Sequence, residues 1–246
     1  MQGSIRRKLI GLNMELYRRY AAEFSSSRTR LQPGIVRALA SLGSFQSLVD
    51  LGCGDARVGR GLLEGSVGPK PSGFAGLYLG VDGCAELLAL APSTSDNFRL
   101  VQAELTEEGW AEDLTRPSGG FQAMVLFSVL HHVPGRVQRL RFLRECATLL
   151  AAEGRWAISV WQCLHLERFV QRVVPWSRVG LQQSEVDPGD ILQDWRRGGR
   201  ALRYVHSFEQ NELMELCEEA GLKVGEHYRS DGESDDLGLY LLGGRA

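Results

Sequence analysis

The chain of 246 residues lacks the marks of several protein classes. Its five cysteines, Cys53, Cys84, Cys146, Cys163 and Cys217, are odd in number, widely separated and never spaced CxxC. That argues against a disulfide framework and a structural zinc site, and predicts reduced thiols in a cytosolic protein. No stretch approaches the roughly 20 uninterrupted apolar residues of a membrane span. The opening "MQGSIRRKLIGLNMELYRRY" carries charge throughout and lacks the short apolar run of a signal peptide. A soluble, cytoplasmic protein without a membrane partner is therefore expected. Low-complexity tracts are also missing, and 43% hydrophobic residues suffice for one core. Residues 1–246 read as a single domain: N-terminal helices over 1–43, a core over 44–162, an insertion or lid over 163–206, and a C-terminal helix and hairpin over 207–246.

The formal net charge of -2 excludes a uniformly basic surface, but positive charge is clustered and is mostly arginine. Arg6, Arg7, Lys8, Arg18, Arg19, Arg28 and Arg30 face only Glu15 and Glu23 in the first thirty residues, and "WRRGGRALR" at 195–203 is a second basic island. Both are either phosphate-contacting patches or solvated faces.

The periodicity alternates strands with helices. "MELYRRYAAEF" and "PGIVRALASLG" predict two N-terminal helices, the second started by Pro33 and stopped by Gly43. Strands are expected at "QSLVDLG", "GLYLGVD", "NFRLVQAEL", "FQAMVLFSVL" and "RWAISVWQ", with helices between them. The fourth is almost continuously apolar, as a strand covered on both faces should be. The helix in "GRVQRLRFLRECATLLAAEG" places Val137, Leu140, Leu143, Ala147 and Leu150 on one stripe ending at Gly154. Ser207 and Gln210 suggest a capping box for the last helix, and "LKVGEHYR" and "LGLYLLGG" an antiparallel pair at one end of the sheet. The implied fold is α/β: a doubly wound, Rossmann-like, mostly parallel seven-stranded sheet with ligands beyond its carboxyl ends and an insertion after strand five.

"SLVDLGCGDARVGRGLLEG" at 47–65 sets the ligand type. Gly52 and Gly54 fall where strand one turns into a helix, where a ligand approaches main chain and a Cβ would collide. A nicotinamide fingerprint wants a third glycine at 57 for close helix-to-strand packing, and this chain has Arg57. Asp50 before the loop would repel a pyrophosphate and attract a cationic amino group, directly or through water. The loop prefers a zwitterion without phosphates.

"DLGCGD" resembles motif I of the class I S-adenosylmethionine-dependent methyltransferases, and the resemblance runs in order along the chain. It implies S-adenosyl-L-methionine as cofactor and S-adenosyl-L-homocysteine as product. Asp82 would accept both ribose hydroxyls, and Glu104 the adenine amino group, with Ala103 and Leu105 flanking the base. Asp50, Gly52, Cys53, Gly54, Gly83 and Phe127 complete the expected cofactor site. "FSVLHHVP" and "LLAAEGRWAISVW" look like the fourth and fifth motifs, although Gln122 stands where the family usually has aspartate. No metal is expected at His131 and His132, because adjacent residues at a strand end point to opposite sides; one would line the pocket and the other pack. Trp161 is read as a wall of the acceptor site.

A second, more specific resemblance flanks that core. "YRRYAAEFSSSRTRLQPGIVRAL" and "GDILQDWRR…RYVHSFEQNELMELCEEAGL" are similar to segments of the tRNA wobble-uridine carboxymethyl methyltransferases. It implies methyl esterification of a carboxymethyl group on the anticodon's first base, with tRNA as partner and a small zinc-binding activator protein beside the enzyme. Carried over by position, Ser27, Arg28, Arg30, Arg203, Tyr204 and His206 become acceptor-site candidates together with His131 and Trp161. "RLQPGI" departs from the family's "RYKPWP", and Asp194 replaces a proline. A small-molecule methyltransferase on the same scaffold is the alternative; it predicts basic islands that lie apart and a pocket enclosed under the insertion.

Overall fold

The structure, a computed structural model, describes residues 1–68, 74–196 and 198–246. Arg197 of the second basic island lies outside the described residues. Three helices lead in, α1 (Gly3–Arg19), α2 (Ala21–Ser26) and α3 (Pro33–Ser41), so the expected first helix starts earlier and breaks at Tyr20. Five parallel strands follow: β1 (Ser47–Leu51), β2 (Leu77–Asp82), β3 (Phe98–Gln102), β4 (Phe121–Phe127) and β5 (Leu150–Trp161). They alternate with α4 (Arg57–Leu63), α5 (Ala85–Leu88) and α6 (Arg136–Leu149). After a short α7 (Glu167–Val170) come β6 (Val173–Val174), β7 (Asp190–Trp195) and β8 (Ala201–His206), then α8 (Gln210–Glu219), β9 (Leu222–Ser230) and β10 (Gly238–Arg245).

The main sheet has the order β3-β2-β1-β4-β5-β10-β9, with β10 antiparallel to both neighbours. The strand order reverses between β1 and β4, which opens a crevice at their carboxyl ends. Phe142, Leu143, Leu213 and Leu216 from α6 and α8 pack one face, and Ile35, Leu39, Val58 and Leu62 from α3 and α4 pack the other. The insertion folds as a separate antiparallel sheet, β6-β7-β8. Its Leu192, Tyr204 and Trp176 bury Ile5 and Leu9 of α1. The segment expected as a lid is therefore a backing for α1, and α1 covers the crevice.

Two local expectations are corrected. Val137 is 73% exposed, while the rest of the expected stripe holds: Leu143, Ala147 and Leu150 are buried and Leu140 packs against them, with Arg139, Phe142, Cys146 and Leu149 buried beside them. The helix also ends at Leu149, so "LAAEGR" already belongs to β5. An all-apolar stripe could not reveal that a buried arginine would serve. Arg139 is 1% exposed and meets Asp187, Asp190 and Glu212 at 3.6, 3.9 and 3.5 Å, three acids distant in sequence. The capping box at Ser207 is absent: α8 is capped by Glu209 without a side-chain bond, and the Ser207 hydroxyl accepts the Leu164 N–H at 3.2 Å.

The missing glycine at 57 has a substitute two residues on. A Cβ at Gly59 would stand 2.6 Å from the rings of both Phe98 and Tyr78, so glycine lets α4 lie on β2 and β3. Those rings stack with centroids 4.7 Å apart, and the Tyr78 hydroxyl donates to Asp50 at 2.7 Å. Replacing Gly59 with alanine should cost about 1–3 kcal/mol from overpacking, despite alanine's better helix propensity. Urea denaturation checks this, and a stabilised variant would show the rings to be movable.

Asp50 itself is 3% exposed. Burial pushes its carboxyl from 3.8 up to about 7, against the pull of the Tyr78 hydrogen bond and Arg57. A carboxyl raised in the native state stabilises while protonated; that contribution is complete below the unfolded value and is lost as the pH rises through about 7. Asp50→Asn should remove the dependence, so its stability relative to wild type rises by about 1–3 kcal/mol between about pH 5 and about pH 8. Parallel stability curves for the two proteins would contradict the assignment.

Candidate active site

A cleft of about 580 Å³ lies over the carboxyl ends of β1, β2 and β4. Its floor is the loop after β1. Gly52 and Gly54 have φ of +70° and +58°, and a Cβ at Gly52 would meet Val129 at 2.2 Å, so this turn requires glycine at 52. The loop is fastened from β2: the two Asp82 oxygens accept the Gly54 and Cys84 N–H groups, each at 2.8 Å. Burial raises the Asp82 carboxyl, and those two N–H groups partly offset it. After β3, Glu104 Oε1 accepts from the Thr106 N–H at 3.1 Å and hydroxyl at 2.7 Å, which fixes the side chain with Oε2 remaining.

Of the expected cofactor residues, Gly52, Cys53, Gly54, Asp82, Gly83, Glu104, Leu105 and Phe127 line this cleft. Asp50 and Ala103 do not. Asp50 lies beneath the loop with Tyr78, and Ala103 packs against the core. Sequence reasoning passed over Asp55, which lines the cleft, is 2% exposed and accepts the Ser25 hydroxyl at 2.6 Å while Arg57 and Arg60 stand 3.5 and 3.7 Å away. Its place in "DLGCGD" next to the glycines was the available signal.

The roof is α1 and α2, contributing Asn13, Met14, Tyr17, Phe24 and Arg28. Arg28 lies 3.8 Å over the Phe24 ring and donates to the Ser27 hydroxyl at 3.2 Å. The far wall is His132 and Trp161. The Tyr17 hydroxyl donates to His132 Nε2 at 2.8 Å, and His132 Nδ1 lies 3.1 Å from the Tyr204 carbonyl. The Tyr204 carbonyl calls for the proton on Nδ1, and in the neutral ring Nε2 is then the acceptor for the Tyr17 hydroxyl. Burial, then the charge of Arg203, pushes the His132 pKa down to about 3. Burial raises the Tyr17 phenol, with Arg203 and Arg28 pulling the other way.

The acceptor-site candidates divide. Arg28 and Trp161 line the cleft. Arg30, Ser27, His131, Arg203, Tyr204 and His206 do not. His131 is fully buried, stacked on Trp161 at 4.6 Å, with Nδ1 accepting the Trp161 N–H at 3.3 Å. The two histidines sit in a 3-10 turn, Leu130–His132, with ring centroids 4.3 Å apart, so the expectation that they diverge fails while the division into one pocket and one packing residue stands. Tyr204 donates to Asp190 at 2.7 Å, and His206 bonds Asp190 at 2.7 Å and Glu212 at 2.9 Å. Burial works against the charged imidazole of His206, but those two carboxylates outweigh it and hold the pKa above its ordinary value. Both belong to the clamp around Arg139. Side-chain direction along β8 decides this, and a motif match does not encode it.

The comparisons agree with this geometry. A tRNA (carboxymethyluridine(34)-5-O)-methyltransferase of Schizosaccharomyces pombe is 25% identical over 226 residues, 87% of this chain and 89% of that protein. A Burkholderia thailandensis 1,6-didemethyltoxoflavin-N1-methyltransferase, solved with its substrate and S-adenosylhomocysteine, superposes with a TM-score of 0.64 at 17% identity, covering 99% of this chain and 89% of that one. A Haloferax volcanii methyltransferase solved in complex with the Trm112 activator gives a TM-score of 0.54 at 15% identity, over 94% and 91% of the two chains. The family model described as a methyltransferase domain matches residues 17–227, and the chain therefore belongs to that family, as a class I S-adenosylmethionine-dependent methyltransferase.

Proposed function

We propose that the chain methylates a carboxylate oxygen, that of a carboxymethyl group on a tRNA wobble uridine. The observation that carries this reading is the meeting of the two basic segments at the cleft. Tyr20 at the end of α1 donates to the Arg200 carbonyl at 3.4 Å, and Gly198 and Gly199 lie against Glu23 and Tyr20. Arg18 and Arg28 line the cleft, Arg19, Arg196 and Arg200 are exposed next to this junction in sequence, and Arg7 and Lys8 are exposed farther back along α1. A polyanion can run along that surface while one base enters the cleft. The small-molecule alternative expects separated islands and a pocket enclosed under the insertion; the junction of the two basic segments favours the tRNA reading over it.

The residues fit the cofactor. Asp82 has lone pairs left for two adjacent hydroxyls, Glu104 has an oxygen left for an amino group, and the main chain at 52–54 has no Cβ where an amino acid tail would rest. The acids Asp82, Asp55 and Glu104 gather on this side, where a sulfonium and an ammonium are favoured. The opposite wall carries Arg28, with Arg203 behind it, where an anionic acceptor is favoured. The cofactor supplies an electrophilic methyl group; the acceptor oxygen bonds to it, the carbon–sulfur electron pair leaves with sulfur, and no proton moves. A neutral His132 with so low a pKa is a poor base. A carboxylate, ionised at neutral pH, requires none. The protein's task is alignment. The relative in Schizosaccharomyces pombe bears the name of this reaction, and the Haloferax volcanii complex supports an activator partner for this chain as well.

With labelled cofactor, total tRNA should acquire a base-labile methyl ester; label passing only to small carboxylic acids would reject the tRNA substrate. Asp82→Ala should weaken S-adenosylhomocysteine binding more than about tenfold by calorimetry, since two hydrogen bonds to a charged group are each worth about 1.5–3 kcal/mol. Unchanged affinity would mean that the ribose lies elsewhere.

A further inference from the structure

Arg203 is a buried cation without a counter-charge. It is 6% exposed, and among the described residues no carboxylate forms an ion pair with it. One nitrogen, Nη2, donates to Gln193 Oε1 at 2.8 Å. Nε and Nη1 are shielded from solvent and have no hydrogen-bond partner in the described structure. Gln193 Nε2 beside them is unpartnered as well. The guanidinium is wedged between two indoles, 4.6 Å from the Trp161 ring and 5.3 Å from Trp195. Ring faces attract a cation but do not satisfy N–H donors. Leaving a charged, multidentate donor in this state costs several kcal/mol, and an anion in the cleft on the other side of Trp161 offsets part of that cost through its field.

Arg139 shows that this chain can neutralise a buried guanidinium when it serves only structure, since three carboxylates surround it. Arg203 has none, and it stands against the cleft: Trp161 in contact with it is a cleft wall, and its field reaches Tyr17 and His132. Arg28 faces the same two residues from the roof. We infer that Arg203 is a specificity-determining residue that restricts the acceptor to an anion, by supplying, with Arg28, the charge that an acceptor carboxylate between Tyr17 and Trp161 neutralises. Tyr17 transmits the interaction, since its hydroxyl can turn from His132 to the acceptor oxygen. This rests on the carboxylate reading above and adds the residue that enforces it.

The test uses the full chain saturated with S-adenosylhomocysteine and measures binding of 5-carboxymethyluridine, its neutral methyl ester and uridine 5′-monophosphate by calorimetry. Wild type should prefer the carboxylate to the ester by about tenfold or more, as a charge-assisted contact requires. Arg203→Gln should abolish that preference while S-adenosylhomocysteine affinity stays within about twofold, and Arg203→Lys should restore much of it. Equal wild-type affinities for acid and ester, or an undiminished preference in Arg203→Gln, would overturn the inference and leave Arg203 as a packing cation. Tighter binding of the monophosphate than of the acid would overturn the carboxylate as its ligand. Should Arg203→Gln not fold, the wild-type preference and its retention in Arg203→Lys decide. A wild-type protein that prefers the acid yet never methylates it would refute the proposed reaction and leave the anion site standing.

Discussion

The side chain of Asn13 sets where α1 lies over the cleft. It sits on the buried stripe of α1 and pairs with one residue of β8 as a strand would, accepting the Tyr204 N–H at 2.9 Å and donating to the Tyr204 carbonyl at 3.0 Å. The Tyr204 carbonyl also takes the His132 Nδ1 proton at 3.1 Å, so the bond that matters most is the one from the buried N–H, whose loss costs roughly 1–3 kcal/mol. The two Asn13 bonds also fix the axial position of α1, because an apolar contact can slide by a few ångström and a bidentate amide cannot. Ile5, Leu9 and Leu16 supply the burial on either side. With α1 in register, Tyr17 falls over His132 and the cleft has its roof.

The insertion sheet is thus part of the site without touching the cleft. It is anchored to the core by Arg139, His206, Asp190 and Glu212, which join α6, β7, β8 and α8. A network so assembled behaves as a unit, since removing one member leaves the rest charged and buried. Damage there propagates through β8 to Tyr204, from Tyr204 to Asn13, and so to the roof. This accounts for the return segment resembling that of a family with a particular substrate, although Tyr204 and His206 point away from it.

What was legible in the sequence follows the locality of the physics. Strand one, Gly52, Gly54 and Asp82 are fixed by a turn between neighbouring segments, and their spacing shows it. The sheet order follows from alternation and handedness, which depend on the backbone and not on particular side chains. The illegible parts depend on distant partners. Val137 has an apolar residue's periodicity but looks outward, because the inward place goes to Arg139 and its acids. Gly59 by propensity alone weakens a helix, and only the rings of Tyr78 and Phe98 beneath it give the reason for it. Asp50 was read as a mouth residue because its position in the motif is local, whereas its burial is set by Tyr78 on the next strand.

The same contrast separates the two ends of the cleft. At the cofactor end, charges are held by main chain: the N–H groups of Gly54, Cys84 and Thr106 aim Asp82 and Glu104, so the geometry exists before any ligand binds. That favours a rigid, general site for a molecule shared by many enzymes, and it is the part a family pattern captures. At the acceptor end, Arg28, Arg203, Tyr17 and Trp161 come from four separate elements or loops and are held by rings and by one another. Each can be exchanged without disturbing β1 or its turn. The fold therefore leaves that wall, the proposed acceptor side, open to change without moving the loop after β1.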